Sequence, residues 1–170
     1  GVDPVVLVEP LKALRKMGAG IRISGATGPK ARIGMVMERR PAGVEIDTGP
    51  YPGFPTDLQS VFLAVEAAGS GESRFKETVY EARFEAAMRL AAFGADVSLQ
   101  KDTAIIRGRY PLVPGIAETP DLRGGAALLV AALAADGLSV ISDSGHLKRG
   151  YEDIGRDLRK LGADIEEDEL

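Results

Sequence analysis

The 170-residue sequence has no cysteine. It therefore carries no disulfide, no thiolate metal site and no cysteine nucleophile. It has one histidine, His146, which cannot build a zinc site by itself. No apolar run reaches the length of a membrane-spanning helix, and no signal-peptide pattern opens the chain. An excess of basic residues is also missing. The net charge is −4 and the sequence pI is about 5.1, which argues against a general nucleic-acid binder. What remains, 45% hydrophobic and 27% charged residues, is ordinary for a globular protein. A chain of this length buries roughly 70% of its unfolded surface, enough for a true core. These features point to one domain or slightly more, soluble and cytoplasmic.

The most strongly shaped stretch is Gly49-Pro50-Tyr51-Pro52-Gly53-Phe54-Pro55-Thr56-Asp57-Leu58-Gln59. Its prolines exclude a regular helix or a central strand, so it reads as a stiff loop. Thr56 or Asp57 then caps a helix with Leu58, Val61, Phe62 and Val65 on one face. Taken alone, this is the pattern of a capped helix after a turn. It is also a place from which a carboxylate is firmly aimed.

The chain repeats itself. Helical patterns at Val8 to Met17, Phe84 to Phe93 and Ile154 to Leu161 each run into a glycine corner: Gly18-Ala19, Gly94-Ala95-Asp96 and Gly162-Ala163-Asp164. A second kind of helix opens at Asp57-Leu58-Gln59 and again at Asp121-Leu122-Arg123, ending at Gly69 and Gly137. Each is followed by a strand-like stretch, Phe75 to Tyr80 or Ser139 to Ile141, and then by an arginine, Arg83 or Arg149. Further short strands are expected at Ile21 to Ile23, Ile33 to Met37, Val44 to Ile46, Val97 to Leu99 and Ala104 to Arg107. The repeat has a period of about 65 to 75 residues, the scale of a supersecondary unit. Helices alternating with strands predict an α/β (α+β) layered fold. The expected units are residues 1–47, 48–113 and 114–170, with the first present only from its second helix onward and the other two complete. A chain that starts mid-repeat is expected to be a piece of something larger, ahead of the alternative that the first unit is a divergent terminal cap, with an uncovered edge near Ile33 to Ile46 that is mobile or paired with another chain.

On residues alone, several candidates have plain structural roles. Arg83 and Arg149 precede amphipathic helices, where an arginine is usually solvated or in a weak surface pair. Asp121 follows Pro120 and suits an N-cap. Gly124-Gly125 is unexpected in a first helical turn and implies close approach of a substrate or a neighbouring helix.

Four motifs in register carry a family resemblance. They are Pro50-x-Pro52-Gly53-Phe54-Pro55-Thr56-Asp57-Leu58-Gln59, Glu77-Thr78-Val79-Tyr80-Glu81-Ala82-Arg83-Phe84, Asp121-Leu122-Arg123 and His146-Leu147-Lys148-Arg149-Gly150-Tyr151-Glu152. From about Leu7 to Ile165 the chain resembles the C-terminal part of the UDP-N-acetylglucosamine 1-carboxyvinyltransferase family of enolpyruvyl transferases. The resemblance implies a lobe of an inside-out α/β barrel, built of βαβαββ-type units, about two and a half of three being present. It implies transfer of enolpyruvate from phosphoenolpyruvate to the 3-hydroxyl of UDP-N-acetylglucosamine in peptidoglycan-precursor synthesis. The reaction is addition followed by elimination of phosphate, with no metal and no cofactor. Half of the substrate clamp lies in an N-terminal lobe, the implied partner, so this chain alone is expected not to turn over.

The same resemblance assigns roles. Asp57 is the candidate general base for the sugar hydroxyl. Arg123 and Arg149 match arginines at the phosphoenolpyruvate end, where forked cationic donors suit phosphate and carboxylate. Arg83 matches another active-site arginine, and Asp121 the acid beside Arg123, placed to orient it. Leu122 lies between them within the same substrate-binding motif. Val79 matches a position that touches the nucleotide sugar through its backbone. Tyr51, Lys148 and Gly124-Gly125 depart from the family pattern. The alternatives are a lobe of the related 3-phosphoshikimate 1-carboxyvinyltransferase, favoured less by the Pro-Gly-Phe-Pro-Thr-Asp and Arg-Gly-Tyr-Glu motifs, and a non-catalytic half-protein that binds a nucleotide sugar or a partner chain.

Overall fold

A computed structural model describes residues 3–25, 28, 30–80 and 83–168. Glu81 and Ala82 of the second motif lie outside the described residues. A 3-10 turn (Pro4–Leu7) leads into helix α1 (Val8–Lys16) and a hairpin of β1 (Gly20–Ser24) and β2 (Arg32–Val36). Next come β3 (Glu45–Asp47), α2 (Thr56–Ala67), β4 (Glu72–Lys76), α3 (Glu85–Arg89) with a 3-10 extension (Leu90–Phe93), β5 (Asp96–Gln100) and β6 (Thr103–Arg107). The last stretch holds β7 (Ile116–Glu118), α4 (Leu122–Leu133), β8 (Val140–Ser142), a 3-10 turn (Leu147–Arg149) and α5 (Ile154–Lys160). The fold is α+β.

The order β3-α2-β4-α3-β5-β6 is one complete unit. The elements α1-β1-β2 repeat its second half, and β7-α4-β8-α5 its first half. The second complete copy expected from sequence therefore lacks its closing strands among the described residues. Residues 163–168 carry no regular structure, and Glu166-Glu167-Asp168 offers no alternating apolar face for a partner to cover. The glycine corners follow one geometry. Gly18, Gly94 and Gly162 have φ of 104°, 77° and 97°. The next residue's N–H reaches back to a carbonyl in the helix: Ala19 to Leu14 (2.9 Å), Ala95 to Leu90 (3.3 Å) and Ala163 to Leu158 (3.0 Å). That left-handed turn with its backward bond ends a helix most cheaply at glycine.

Three sheets result among the described residues. β1 and β2 form an antiparallel pair, and β7 and β8 a parallel pair. The four-stranded sheet has the order β3-β4-β6-β5, parallel at β3-β4 and antiparallel elsewhere. Its outer face carries ion pairs, among them Arg107 with Glu72 (3.0 Å) and Asp96 (3.2 Å). α2 lies against this sheet, α4 against β8, and the two helices pack most extensively on each other. α2 is therefore covered almost all round, with Gln59, Ser60, Phe62, Leu63, Ala64, Glu66 and Ala67 buried. The single apolar face expected from its spacing is too narrow a description, because the helix is covered from more than one side. Phe75, Phe93, Leu63, Leu90, Ile106 and Leu128 are fully buried, each worth about 1.5–3 kcal/mol by transfer.

Two boundaries differ from the spacing. The strand expected at Phe75 to Tyr80 is β4 and stops at Lys76, because the next residue, Glu77, turns the chain with its own side chain. β7 is an addition to the strands expected from sequence. Gly124 and Gly125 pack within the protein: a Cβ on Gly124 would meet Pro120 Cγ at 2.5 Å and Ala86 Cβ at 3.1 Å, and one on Gly125 would meet Leu147 Cδ2 at 2.9 Å.

The expected open edge divides. β3 is paired with β4, whereas among the described residues the β1-β2 hairpin pairs only with itself, and it exposes Ile23, Met35 and Val36. A two-stranded ribbon is marginal in water. In hydrogen exchange, amides of β1 and β2 are expected to exchange by local opening while those of Phe75 and Ile106 wait for global unfolding. Equal protection of the two groups would contradict this view of the hairpin.

Candidate active site

The proline-glycine loop folds onto itself before α2 begins. Gly49 N–H donates to the Phe54 carbonyl (2.9 Å) and Gly53 N–H to that of Pro50 (2.7 Å). Gly53 is required by crowding, since a Cβ there would lie 2.9 Å from the Pro50 carbonyl oxygen. Phe54 is buried and meets the Phe62 ring edge-on at 5.0 Å. The N-cap is Pro55, without a side-chain bond, and not Thr56 or Asp57. Both residues thus enter the helix with their side chains free for other partners.

Asp57 uses that freedom. Its Oδ1 accepts from Arg83 Nη1 at 2.8 Å and from Arg123 Nε at 2.5 Å. The two arginines come from different units, one ahead of α3 and one in the first turn of α4. Asp57 keeps 56% of its side chain exposed, while Arg83 keeps 14%. The Arg123 hydrogen bond holds the Asp57 carboxyl below its usual 3.8, against a smaller opposing effect of burial and with help from Arg83. Reciprocally, Arg123 is held more firmly protonated.

Asp121 is the N-cap of α4, its Oδ1 accepting from the backbone N–H of Arg123 (2.7 Å) and Gly124 (2.8 Å). It fixes the turn from which Arg123 springs, while the guanidinium itself goes to Asp57. Leu122 packs over Gly150, where a Cβ would meet Leu122 Cδ2 at 2.5 Å. This ties the start of α4 to the turn bearing Arg149. Arg149 itself is exposed, and its side chain has no hydrogen bond or ion pair among the described residues. Val79 is 46% exposed, and its N–H is committed internally to Glu77. The structure thus brings Asp57, Arg83 and Arg123 into direct contact, places Asp121 and Leu122 in the turn that carries Arg123, and leaves Arg149 and Val79 at the surface.

Sequence reasoning does not single out Glu77, although it opens the second motif. It is 6% exposed. Its Oε1 accepts from Thr48 Oγ1 (2.7 Å), Val79 N–H (2.8 Å) and Tyr80 N–H (2.9 Å), and its Oε2 from Thr56 Oγ1 (2.8 Å) and Gln59 Nε2 (3.1 Å). Burial opposes its charge, but these donors outweigh it and hold the carboxyl below its usual value. Glu66 is the contrast. It is also buried but has only the Ser73 hydroxyl on one oxygen, so burial pushes its carboxyl up.

A groove of about 400 Å³ beside Gly53 and Phe54, lined also by Lys12, Lys16 and Asp47, contains none of Asp57, Arg83 or Arg123. No three metal-ligating side chains come together among the described residues, and no helix there is long and apolar enough to cross a membrane.

The model of the family described as EPSP synthase (3-phosphoshikimate 1-carboxyvinyltransferase) matches residues 6–158. The chain is 41% identical over 165 residues to a UDP-N-acetylglucosamine 1-carboxyvinyltransferase of Gloeobacter violaceus, covering 97% of this chain and 35% of that protein. It is 42% identical over 166 residues to one of Legionella pneumophila, covering 97% and 32%. Among solved structures, the enolpyruvyl transferase NikO from Streptomyces tendae superimposes with a TM-score of 0.81 at 29% identity, over 97% of this chain and 38% of that one. An EPSP synthase from Acinetobacter baumannii shares the fold, with a TM-score of 0.67 at 19% identity over 95% and 37%. The chain spans about a third of the length of the curated relatives it matches.

The ion pairs make a pH prediction. The folded-state value of Asp57 is depressed, so its stabilisation is present above the unfolded value of about 3.8 and is lost as pH falls through the folded value. Carbon-detected NMR titration should show Arg123→Gln raising the Asp57 midpoint more than Arg83→Gln does. The reverse order would contradict Arg123 as the stronger partner.

Proposed function

The chain belongs to the EPSP synthase (3-phosphoshikimate 1-carboxyvinyltransferase) family, and on that footing we propose that it is part of an enolpyruvyl transferase acting on UDP-N-acetylglucosamine and phosphoenolpyruvate. The observation that carries this reading is one carboxylate, Asp57, bonded to arginines from two repeat units. The UDP-sugar is preferred over shikimate 3-phosphate because the relatives named for it are 41% and 42% identical, against 19% for the EPSP synthase structure.

The chemistry follows from the groups present. Phosphoenolpyruvate brings a phosphate and a carboxylate, both matched by guanidinium forks. Arg123 and Arg83 are in the cluster, and Arg149 projects from the neighbouring turn. The arriving anion competes with Asp57 for these arginines. As they turn to the ligand, the Asp57 carboxylate loses the partners that depress its proton affinity and becomes a better base. It then takes the proton of the sugar 3-hydroxyl as that oxygen bonds to C2 of phosphoenolpyruvate, with proton addition at C3. In the second stage C3 gives up a proton and the bond from C2 to the phosphate oxygen breaks. Asp121 keeps Arg123 in register, Leu122 holds the two turns together, and Val79 offers its carbonyl to the sugar nucleotide, its N–H being engaged.

We read the architecture in the same way. Helices α2 and α4 lie at the centre with their sheets outside, the beginning of an inside-out α/β barrel with units at about 1–47, 48–113 and 114–170. The remaining strands and an N-terminal lobe that closes over the substrates belong to the rest of the family protein. A nucleotide-sugar substrate sets the reaction in the cytoplasm, at an early step of peptidoglycan synthesis.

The test is a hybrid in which this chain replaces the matching segment of the Gloeobacter violaceus relative. Phosphate release should require both phosphoenolpyruvate and UDP-N-acetylglucosamine, and Asp57→Asn should lower kcat by about 10²–10⁴-fold, the usual worth of a general base. Release with shikimate 3-phosphate alone as acceptor, or an Asp57→Asn hybrid as fast as its parent, would overturn the proposal.

A further inference from the structure

Two hydrogen bonds join the buried Glu77 to the exposed site, and their direction is forced. Glu77, held as a carboxylate, can only accept. Thr56 therefore spends its one proton on Glu77 Oε2 (2.8 Å), which leaves its oxygen to accept from Arg83 Nη1 (3.0 Å). The same Arg83 nitrogen donates to Asp57 Oδ1 at 2.8 Å. A second route runs through Tyr80. Glu77 holds its N–H, and the Arg83 guanidinium lies over the Tyr80 ring, 4.5 Å from the centroid.

The neighbouring unit contains the same device without the final link. Thr119 and Asp143 stand just past β7 and β8, as Thr48 and Glu77 stand just past β3 and β4. The backbones are joined alike, Thr48 N–H to the Lys76 carbonyl and Thr119 N–H to that of Ser142, both at 2.9 Å. Thr119 Oγ1 donates to Asp143 Oδ1 at 2.6 Å, and Asp143 also accepts from the N–H groups of Gly145, His146 and Leu147. Arg149 follows Asp143 by the same six residues that separate Arg83 from Glu77. The helix start differs: aligning Asp121 with Asp57 puts Pro120 where α2 has Thr56. No hydroxyl is available there, and Arg149 remains exposed and unbonded among the described residues. The acid-and-threonine pair alone shapes the loop, and the added hydroxyl fixes the arginine.

We propose that Thr56 and Glu77 are positioning residues for the site. Glu77 fixes the proton of Thr56, Thr56 fixes the direction of Arg83, and Arg83 with Arg123 then sets the hydrogen bonding of Asp57. This rests on the reading of Asp57 as the base. Among the described residues, the groups facing Asp57 are Arg83 from the segment before α3 and Arg123 from α4, and Glu77 reaches it through Thr56 and Arg83.

The experiment is an NMR titration of the Asp57 carboxyl in the full chain. Thr56→Val keeps the side-chain shape and removes the hydroxyl. It should shift the Asp57 midpoint upward, and Thr56→Ser should restore the original value. Adding Arg83→Gln to Thr56→Val should shift the midpoint little further, because the same bond is already lost. The Phe75 and Ile106 amide signals report that each variant is folded. A folded Thr56→Val chain whose Asp57 titrates as in the parent, or a serine variant that behaves like valine, overturns the proposal. Glu77→Gln is the second probe: the bonded, 14% exposed Arg83 guanidinium should exchange slowly in the parent and faster in a folded variant, and equal exchange in the two overturns the role of Glu77. No substrate is needed, so these results stand apart from the phosphate-release assay of the transferase reading.

Discussion

Asp57 and Arg123 are 66 residues apart in the chain and meet because α2 and α4 lie side by side. Everything at the candidate site depends on that packing. It is made possible by small side chains: Ala64 and Ala67 on α2 and Ala127 and Ala131 on α4 are all buried. Gly124 lets the first turn of α4 approach α3, and Gly125 leaves room for Leu147. A helix pair this close sets the two N-terminal turns at the same end. One turn then presents a carboxylate and the other a guanidinium, held directly against each other. The four-stranded sheet packs on α2 and presents ion pairs to solvent.

The second constraint is charge. Among the described residues of the central unit three carboxylates are perturbed, and each by a different balance. Asp57 is half exposed and controlled by its arginines. Glu77 is buried and controlled by neutral donors. Glu66 is buried and nearly alone, so desolvation wins. Only the first can change its proton affinity by exchanging partners with a ligand, which is why it is the group to which a proton-transfer role fits. Glu77 has no such freedom; five fixed donors make it a structural anion.

Much of this is legible in the sequence because it depends on local chemistry. Glycine at a left-handed corner, an Asp-Leu helix start and short apolar strands are all written within a few residues, and the β1, β2, β5 and β6 strands fall where the spacing puts them. The motifs likewise name Asp57, Arg83 and Arg123. What stays hidden depends on partners distant in sequence. The end of β4 is set by Glu77 bonding Thr48, 29 residues earlier. The burial of Gln59 and Glu66 follows from α4 and the sheet covering a helix whose own pattern shows one face. Asp121 has the sequence position of a residue that orients a guanidinium, yet its oxygen is taken by backbone N–H groups of its own turn.

The central claim is that Asp57 and an incoming anion compete for one pair of arginines. Calorimetric titration of phosphoenolpyruvate into the parent hybrid transferase and into its Asp57→Asn variant tests it most directly. Removal of the internal competitor should tighten phosphoenolpyruvate binding. Weaker binding by the variant would show that Asp57 supports the anion site and does not compete with it, and would contradict the account.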